Sequence, residues 1–96
     1  MKANFEMIRK LKEGKCLLHN LDCHYVNGKV DLDHFKTRGS GGGNETWNLM
    51  PLCRYHHQER HRKQRIDMYR KYWQYKDWCD FNGWEYCPVL LKWSRK

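Results

Sequence analysis

Between Val30 and His61 the chain reads VDLDHFKTRGSGGGNETWNLMPLCRYHHQERH, which sets an acid beside a histidine at Asp33-His34, an amide at Asn48, and Cys53, His56, His57 and His61 close together. Histidines four residues apart, as His57 and His61 are, stand one turn apart on one side of a helix, where two imidazoles can grip a single divalent ion. Alone, such a pair is more often a solvent-facing bystander. Asp33 changes the reading, because a carboxylate ending a strand closes a site with the two imidazoles and leaves positions open for water and substrate. Three protein ligands with open positions suit catalysis. His34 follows Asp33 directly, and successive side chains on a strand point to opposite faces, so the strand has to end or bend here for both to serve one site. The Asn48 amide is placed to fix the intervening loop by hydrogen-bonding its backbone; without its neighbours it would read as an ordinary strand-end asparagine.

A second set of ligands is softer. Cys53-x2-His56 at the expected helix start, with Cys16, His19 and Cys23 upstream, has the form of a structural tetrahedral zinc site that clamps the preceding segment to the helix. Cys53 and His56 are the firmer half. Upstream, Cys16-x2-His19 has zinc-knuckle spacing, whereas Cys16 with Cys23 gives the more thiolate-rich set; the reading favours Cys16 and Cys23, with His19 as the alternative ligand. The plain alternative is a pair of buried thiols.

The elements that must position these residues follow from pattern. Apolar Met7, Ile8 and Leu11 suit a short amphipathic helix over Phe5–Lys12, ending near Gly14. Asn27-Gly28 between Tyr25-Val26 and the alternating Val30 and Leu32 signals a tight hairpin of two short strands. The stretch KTRGSGGGNETW is a loop, and by composition it would pass for a plain flexible linker. NLMPL is a brief extended piece. No breaker interrupts the chain from about Cys53 to Gly83, so one or two helices should fill it, with Ile66, Tyr69 and Trp73 on one apolar face and Met68, Tyr72, Tyr75 and Cys79 beside it. Most of these aromatics are expected in the core, although some of the tyrosines and tryptophans could stack on nucleic-acid bases. Gly83 suits a helix end, and WEYCPVLLKW is expected to cover the core before a basic tail.

Ninety-six residues make a single domain with a modest core, of the size that often needs a metal for part of its stability. The formal charge of +8, with basic residues dense from Arg54 to Lys71, points to a polyanionic partner or, more plainly, to a solvated face. Neither a signal peptide nor a membrane span is legible, so a cytoplasmic location is expected; in a reducing compartment five cysteines are expected to be metal ligands or buried thiols rather than a disulfide framework.

With Asp33-His34, Asn48, His57 and His61 in order, and an ending of the form LCxxHHxxxH, the chain resembles the HNH family of His-Me finger nucleases, and in particular its small phage-type members. The resemblance covers most of residues 16–61. It implies an α+β fold: a zinc-stabilised ββα-metal domain with its core at about 23–65, flanking helices, and a C-terminal helical extension at 66–96. It implies that His34, Asn48 and His57 serve catalysis, that Asp33, His57 and His61 hold a catalytic Mg2+, Mn2+ or similar ion, and that Cys16, Cys23, Cys53 and His56 hold structural zinc. The family's upstream zinc half is usually Cys-x2-Cys, from which this chain departs, and its second downstream cysteine is here His56. The activity implied is hydrolysis of DNA phosphodiester bonds, leaving 5′-phosphate and 3′-hydroxyl ends. Lys36, Arg38, Arg54, Arg60, Arg62, Lys63 and Arg65 then fall where they could hold the backbone of DNA, with RNA as a second polyanion of the same kind. The rival reading is a non-catalytic zinc-bound module that binds nucleic acid or joins a phage assembly.

Overall fold

The computed structural model describes residues 14–18, 23–25 and 30–96. The expected Phe5–Lys12 helix, the Asn27-Gly28 turn and His19 lie outside the described residues. The described chain is α+β, with three helices and two small antiparallel sheets. It divides into two compact units, Met1–Glu59 and Arg60–Lys96, so the division falls inside a helix rather than near residue 65, where the sequence suggested a core would end.

In the first unit, strand β1 (Asp31–His34) pairs antiparallel with β2 (Leu49–Leu52), Asp31 opposite Leu52 and His34 opposite Leu49. Every residue of β2 is buried, which is why NLMPL reads as a continuous apolar run rather than an alternating one. Phe35 N–H donates to Asn48 O, so the alternation of an antiparallel ladder puts the Leu32–Pro51 pair at a non-hydrogen-bonded position, where proline's missing N–H costs no ladder bond. The Pro51 carbonyl accepts from Leu17 N–H instead, tying the upstream segment to the strand. Val30, Phe35, Leu49, Met50 and Leu52 form the core here with Leu18. The upstream strand expected to partner Val30 and Leu32, at Tyr25-Val26, runs into residues outside those described; among the described residues the partner of β1 is β2, brought back by the glycine-rich loop.

Helix α1 (Arg54–Arg62) follows at once. It has no apolar stripe: its buried side chains are His56 and Glu59, and Tyr55 is exposed. What holds it is polar and is described below.

The second unit holds α2 (Arg65–Lys71), α3 (Trp73–Phe81), and strands β3 (Trp84–Cys87) and β4 (Lys92–Arg95), which pair as a hairpin. The uninterrupted pattern predicted one or two helices from Cys53 onward, but the backbone is extended at Gln64 and again at Tyr72. Gln64 begins α2 by donating its N–H to the Asp67 carboxylate. The break at Tyr72 has a visible consequence: Tyr69 Oη donates to Asp80 Oδ1 at 2.8 Å, and Arg65 Nη1 to Tyr75 Oη at 3.2 Å. In one straight helix those partners would be roughly 15 Å apart along the axis. Met68, Tyr75, Cys79 and Trp84 are the core of this unit, so the expected apolar face is shifted; Trp73 is 73% exposed and does not belong to it.

Gly83 closes α3 with φ 79°, a left-handed backbone that suits glycine. Beyond it the expected helical extension gives way to the β3–β4 hairpin, whose turn leaves Val89, Leu90 and Leu91 exposed rather than over the core. Tryptophan and tyrosine at alternate positions of WEYC suit a half-buried strand, and Pro88 after it bars a helix. No helix among the described residues is long and apolar enough to cross a membrane.

Candidate metal centre and active site

Cys53 closes β2 and His56 lies in the first turn of α1, so the chain reversal itself brings the two side chains together. Cys53 Sγ stands 3.1 Å from His56 Nδ1, and it also receives the His56 backbone N–H at 3.5 Å. The upstream segment reaches the same point. Cys16 Sγ is 3.5 Å and Cys23 Sγ 3.6 Å from His56 Nδ1, and all four donor atoms lie within 4.8 Å of one another. Backbone contacts hold that segment in place: Arg54 N–H donates to His24 O, and Cys16 N–H to Tyr25 Oη.

For a tetrahedral ion with Zn–S about 2.3 Å and Zn–N about 2.0 Å, the S-to-N edge is about 3.5 Å, so the three sulfur-to-imidazole distances fit one ion at the centre. Cys16, Cys23, Cys53 and His56 therefore form a cluster that could hold a metal such as zinc. Burial pushes the Cys16 thiol up to about 12. Cys79 and Cys87 lie outside the cluster; burial likewise pushes Cys79 up to about 12, that of a packed thiol in the second unit.

The second candidate site is built by β1 and α1. His57 Nε2 lies 3.7 Å from Asp33 Oδ1, and Asp33 is buried. Two ligands at about 2.1 Å from a shared cation span roughly 3.0–3.6 Å for ordinary coordination angles, so the pair stands just beyond that span and would close slightly on one ion. The donor chemistry also fits, a hard carboxylate with an imidazole. His61 is exposed on the last turn of α1, beyond the unit that contains Asp33 and His57. Among the described residues, the Cys/His cluster is the only group of three or more such ligands drawn together; the set Asp33, His57 and His61 is not.

Asp31 was not singled out from the sequence. Two residues before Asp33 on the same strand, it shares that residue's face, and the D-x-D alternation was the signal available for it. Its Oδ2 accepts from His57 Nδ1 at 3.1 Å and from Arg54 Nε at 3.0 Å. Burial would raise the Asp31 carboxyl, but the hydrogen bonds from His57 and Arg54 more than offset this and hold it below its ordinary value. A proton fixed on Nδ1 leaves the His57 Nε2 lone pair for the Asp33 side, the usual way a carboxylate orients a ligating imidazole.

His34 and Asp33 are separated by the regular alternation of β1, which runs through His34 before the chain bends. Asp33 reaches His57, whereas His34 Nε2 lies 2.9 Å from Asn44 Oδ1 in the loop. Asn44 is a second residue the sequence reading missed, because nothing in its spacing distinguishes it from a turn asparagine. Asn48, fully buried, ties the loop at three points: its Oδ1 accepts from Lys36 N–H at 2.7 Å, and its Nδ2 donates to Lys36 O at 3.0 Å and Gly43 O at 2.8 Å. Gly42 lies against the Lys36 carbonyl so closely that a Cβ there would overlap it. The glycine-rich stretch is thus a shaped loop rather than a plain linker.

The basic residues fall into two groups. Arg54 is paired with Asp31, and Arg65 with the Tyr75 hydroxyl, so both have internal partners. Lys36, Arg62 and Lys63 are exposed, Arg60 is half-buried, and Arg38 begins the short 3-10 turn Arg38–Ser40. In comparisons with known proteins, the chain matches no family model, no curated protein and no solved structure.

Proposed function

We propose that the chain is a metal-dependent endonuclease of the HNH type that hydrolyses DNA phosphodiester bonds, with zinc in the Cys16/Cys23/Cys53/His56 cluster. The observation that carries this reading is the approach of Asp33 to His57 at 3.7 Å, two residues far apart in sequence that the β1–β2–α1 succession sets side by side. A catalytic divalent cation, bound by Asp33 and His57, would supply charge neutralisation at the scissile phosphate and the leaving oxygen.

The chain's own groups divide the remaining work. Asn44 Oδ1 accepts from His34 Nε2–H, which leaves Nδ1 as the nitrogen that takes a proton from water. Asn48 holds the backbone of the loop that carries Asn44, and so keeps His34 in one tautomer and one orientation. Water deprotonated at His34 attacks phosphorus in line with the 3′ oxygen, giving 5′-phosphate and 3′-hydroxyl ends. Exposed Lys36, Arg62 and Lys63 hold phosphates without reading sequence.

The test is supercoiled plasmid incubated with chain of measured zinc content, with and without added Mg2+ or Mn2+. Nicking is expected only with the added ion, and His34→Ala should lower it by a factor on the order of 10²–10⁴ with zinc content unchanged. Zinc-loaded wild type that binds DNA but never cuts it would replace this reading with a non-catalytic zinc-held binding module.

A further inference from the structure

The second unit contains a groove that the endonuclease reading does not use. It has a volume of about 570 Å³ and is lined by Ile66, Tyr69, Arg70, Trp84, Tyr86 and Trp93, between α2 and the β3–β4 hairpin. A smaller recess of about 250 Å³ adjoins it, sharing Ile66, Tyr86 and Trp93 and adding Arg65 at its far side. The shared wall is aromatic. Tyr86 and Trp93 meet at 5.2 Å with their planes tilted by 52°, and Trp93 meets Tyr69 at 5.6 Å and 62°, so neither of these two contacts is a parallel stack.

The charge of the unit that holds this groove is net positive. From Arg60 to Lys96 the chain carries ten basic and four acidic side chains, a net +6 of the whole chain's +8. Two of the acids line the groove itself, and both are neutralised locally: Asp80 by Lys76 at 2.6 Å, Glu85 by Lys96 at 2.7 Å. Arg70 on the lining is exposed and matched by neither of them. Aromatic faces lining two adjoining recesses inside a net-positive surface are what a strand of unpaired bases requires: π faces accept any base, and cations track the backbone. An acidic peptide would use the charge but not the rings, and a second copy of this chain would bring +8 against +8.

We propose that this groove binds single-stranded nucleic acid, with successive bases stacking on Tyr86 and Trp93 and Arg70 taking a phosphate. The site goes beyond the endonuclease reading and stands without it, since no residue of the Asp33–His57 site takes part. It gives the chain a hold on an unpaired strand, such as a flap, gap or melted end.

The experiment uses the zinc-loaded full chain carrying His34→Ala, so that no cutting intervenes, and fluorescein-labelled oligothymidylate against a duplex of equal length, read by anisotropy at several salt concentrations. Trp93→Ala and Tyr86→Ala should each weaken binding to the single strand roughly 5- to 150-fold without altering its salt slope, and Trp93→Phe should restore most of the affinity. Arg70→Gln, at an exposed position whose loss does not threaten the fold, should weaken binding and flatten the log–log salt slope by about 0.7. Wild-type affinity in Arg70→Gln, or in a folded Trp93→Ala chain, overturns the proposal. So does equal weakening of single-strand and duplex binding in Trp93→Ala, or a groove occupied by a second copy, seen as a dimer whose dissociation is needed for binding. Failure of the endonuclease reading shows elsewhere, as zinc-loaded wild type that does not nick plasmid, and leaves these binding outcomes as they are.

Discussion

Removing metal from the Cys16/Cys23/Cys53/His56 cluster is expected to unfold the first unit, and the reason lies in α1. The nine residues Arg54–Arg62 contain no aliphatic side chain, and the side chains they bury are His56 and Glu59. A helix of that length has no stability of its own in water, where about 12–15 residues are marginal even for good formers. Its docking therefore depends on His56, one of the four cluster residues, and on the Asp31 bonds to Arg54 and His57. Structural zinc contributes about 10–16 kcal/mol in zinc-finger peptides at neutral pH, as much as the entire net stability of about 5–15 kcal/mol that a small domain possesses.

Even a loss of about 4 kcal/mol, far below that range, would lower Tm by about 16–32 °C in a domain of this size. The assay is a thermal melt followed by circular dichroism on chain of measured zinc content, before and after a strong chelator, with amide exchange to locate the change. Protection of the amides from Asp31 to Arg62 should collapse, and Cys53→Ala should copy the effect. His61→Ala, exposed and outside the cluster, should stay within about 0.5 kcal/mol of wild type. A metal-free chain that melts where the zinc-loaded one does, or equal losses in Cys53→Ala and His61→Ala, would refute the argument that α1 is held by its ligands.

Other outcomes follow from single contacts. Asn48→Ala removes three hydrogen bonds from a fully buried amide and should cost about 2–4 kcal/mol in a denaturant melt, together with most of the plasmid nicking. Arg65→Ala should cost about 1–3 kcal/mol because it strips the buried Tyr75 hydroxyl of a donor, and Tyr75→Phe in that background should recover part of the loss in a double-mutant cycle. The hydrogen bond from Lys76, aided by that from Tyr69, holds the Asp80 carboxyl below its ordinary 3.8. Its contribution is therefore complete above that ordinary value and is lost as pH falls through the lowered one. Melting curves of wild type and Asp80→Asn should differ at neutral pH and converge in acid, and a constant difference across that window would remove Asp80 from the acid response.

The candidate sites were legible where spacing is enforced by one element. Cys53, His56 and His57 fall within a single turn, so any helix there brings them together, and Asn48 stands where a strand-end amide can reach the preceding loop. What spacing could not reveal was pairing across the fold. Asp31 looked like one more polar strand residue until its strand came to lie along α1, and Asn44 like one more turn residue until the loop folded over His34. The pairing of β1 with β2 was missed because Asn27-Gly28 is a strong local turn signal, whereas the long return through the glycines has no local signature. The breaks at Gln64 and Tyr72 were missed for a related reason. Neither residue forbids a helix, and the contacts that favour a break, Asp67 on the Gln64 backbone and Asp80 on Tyr69, exist only once the break is made.

The two units divide the physical problem differently, and this separates their roles. The second closes over aromatic and aliphatic side chains, Met68, Tyr75 and Trp84 among them, and leaves its surplus cations and a ring-lined groove on the surface. The first surrounds its apolar strand pair with polar constraints: four metal-type ligands, one carboxylate shared by Arg54 and His57, one amide with three loop contacts, and a glycine where a side chain would collide. Each polar constraint fixes an orientation as well as a distance, which an apolar contact of the same strength does not. Under the proposed function, which keeps one imidazole in a chosen tautomer and another facing a carboxylate, orientation matters most. On that same reading the cost would be dependence on metal: one of the four cluster residues, His56, anchors α1, so the element that presents His57 to Asp33 would be held fully only with the neighbouring cluster filled and the Asp31 bonds made.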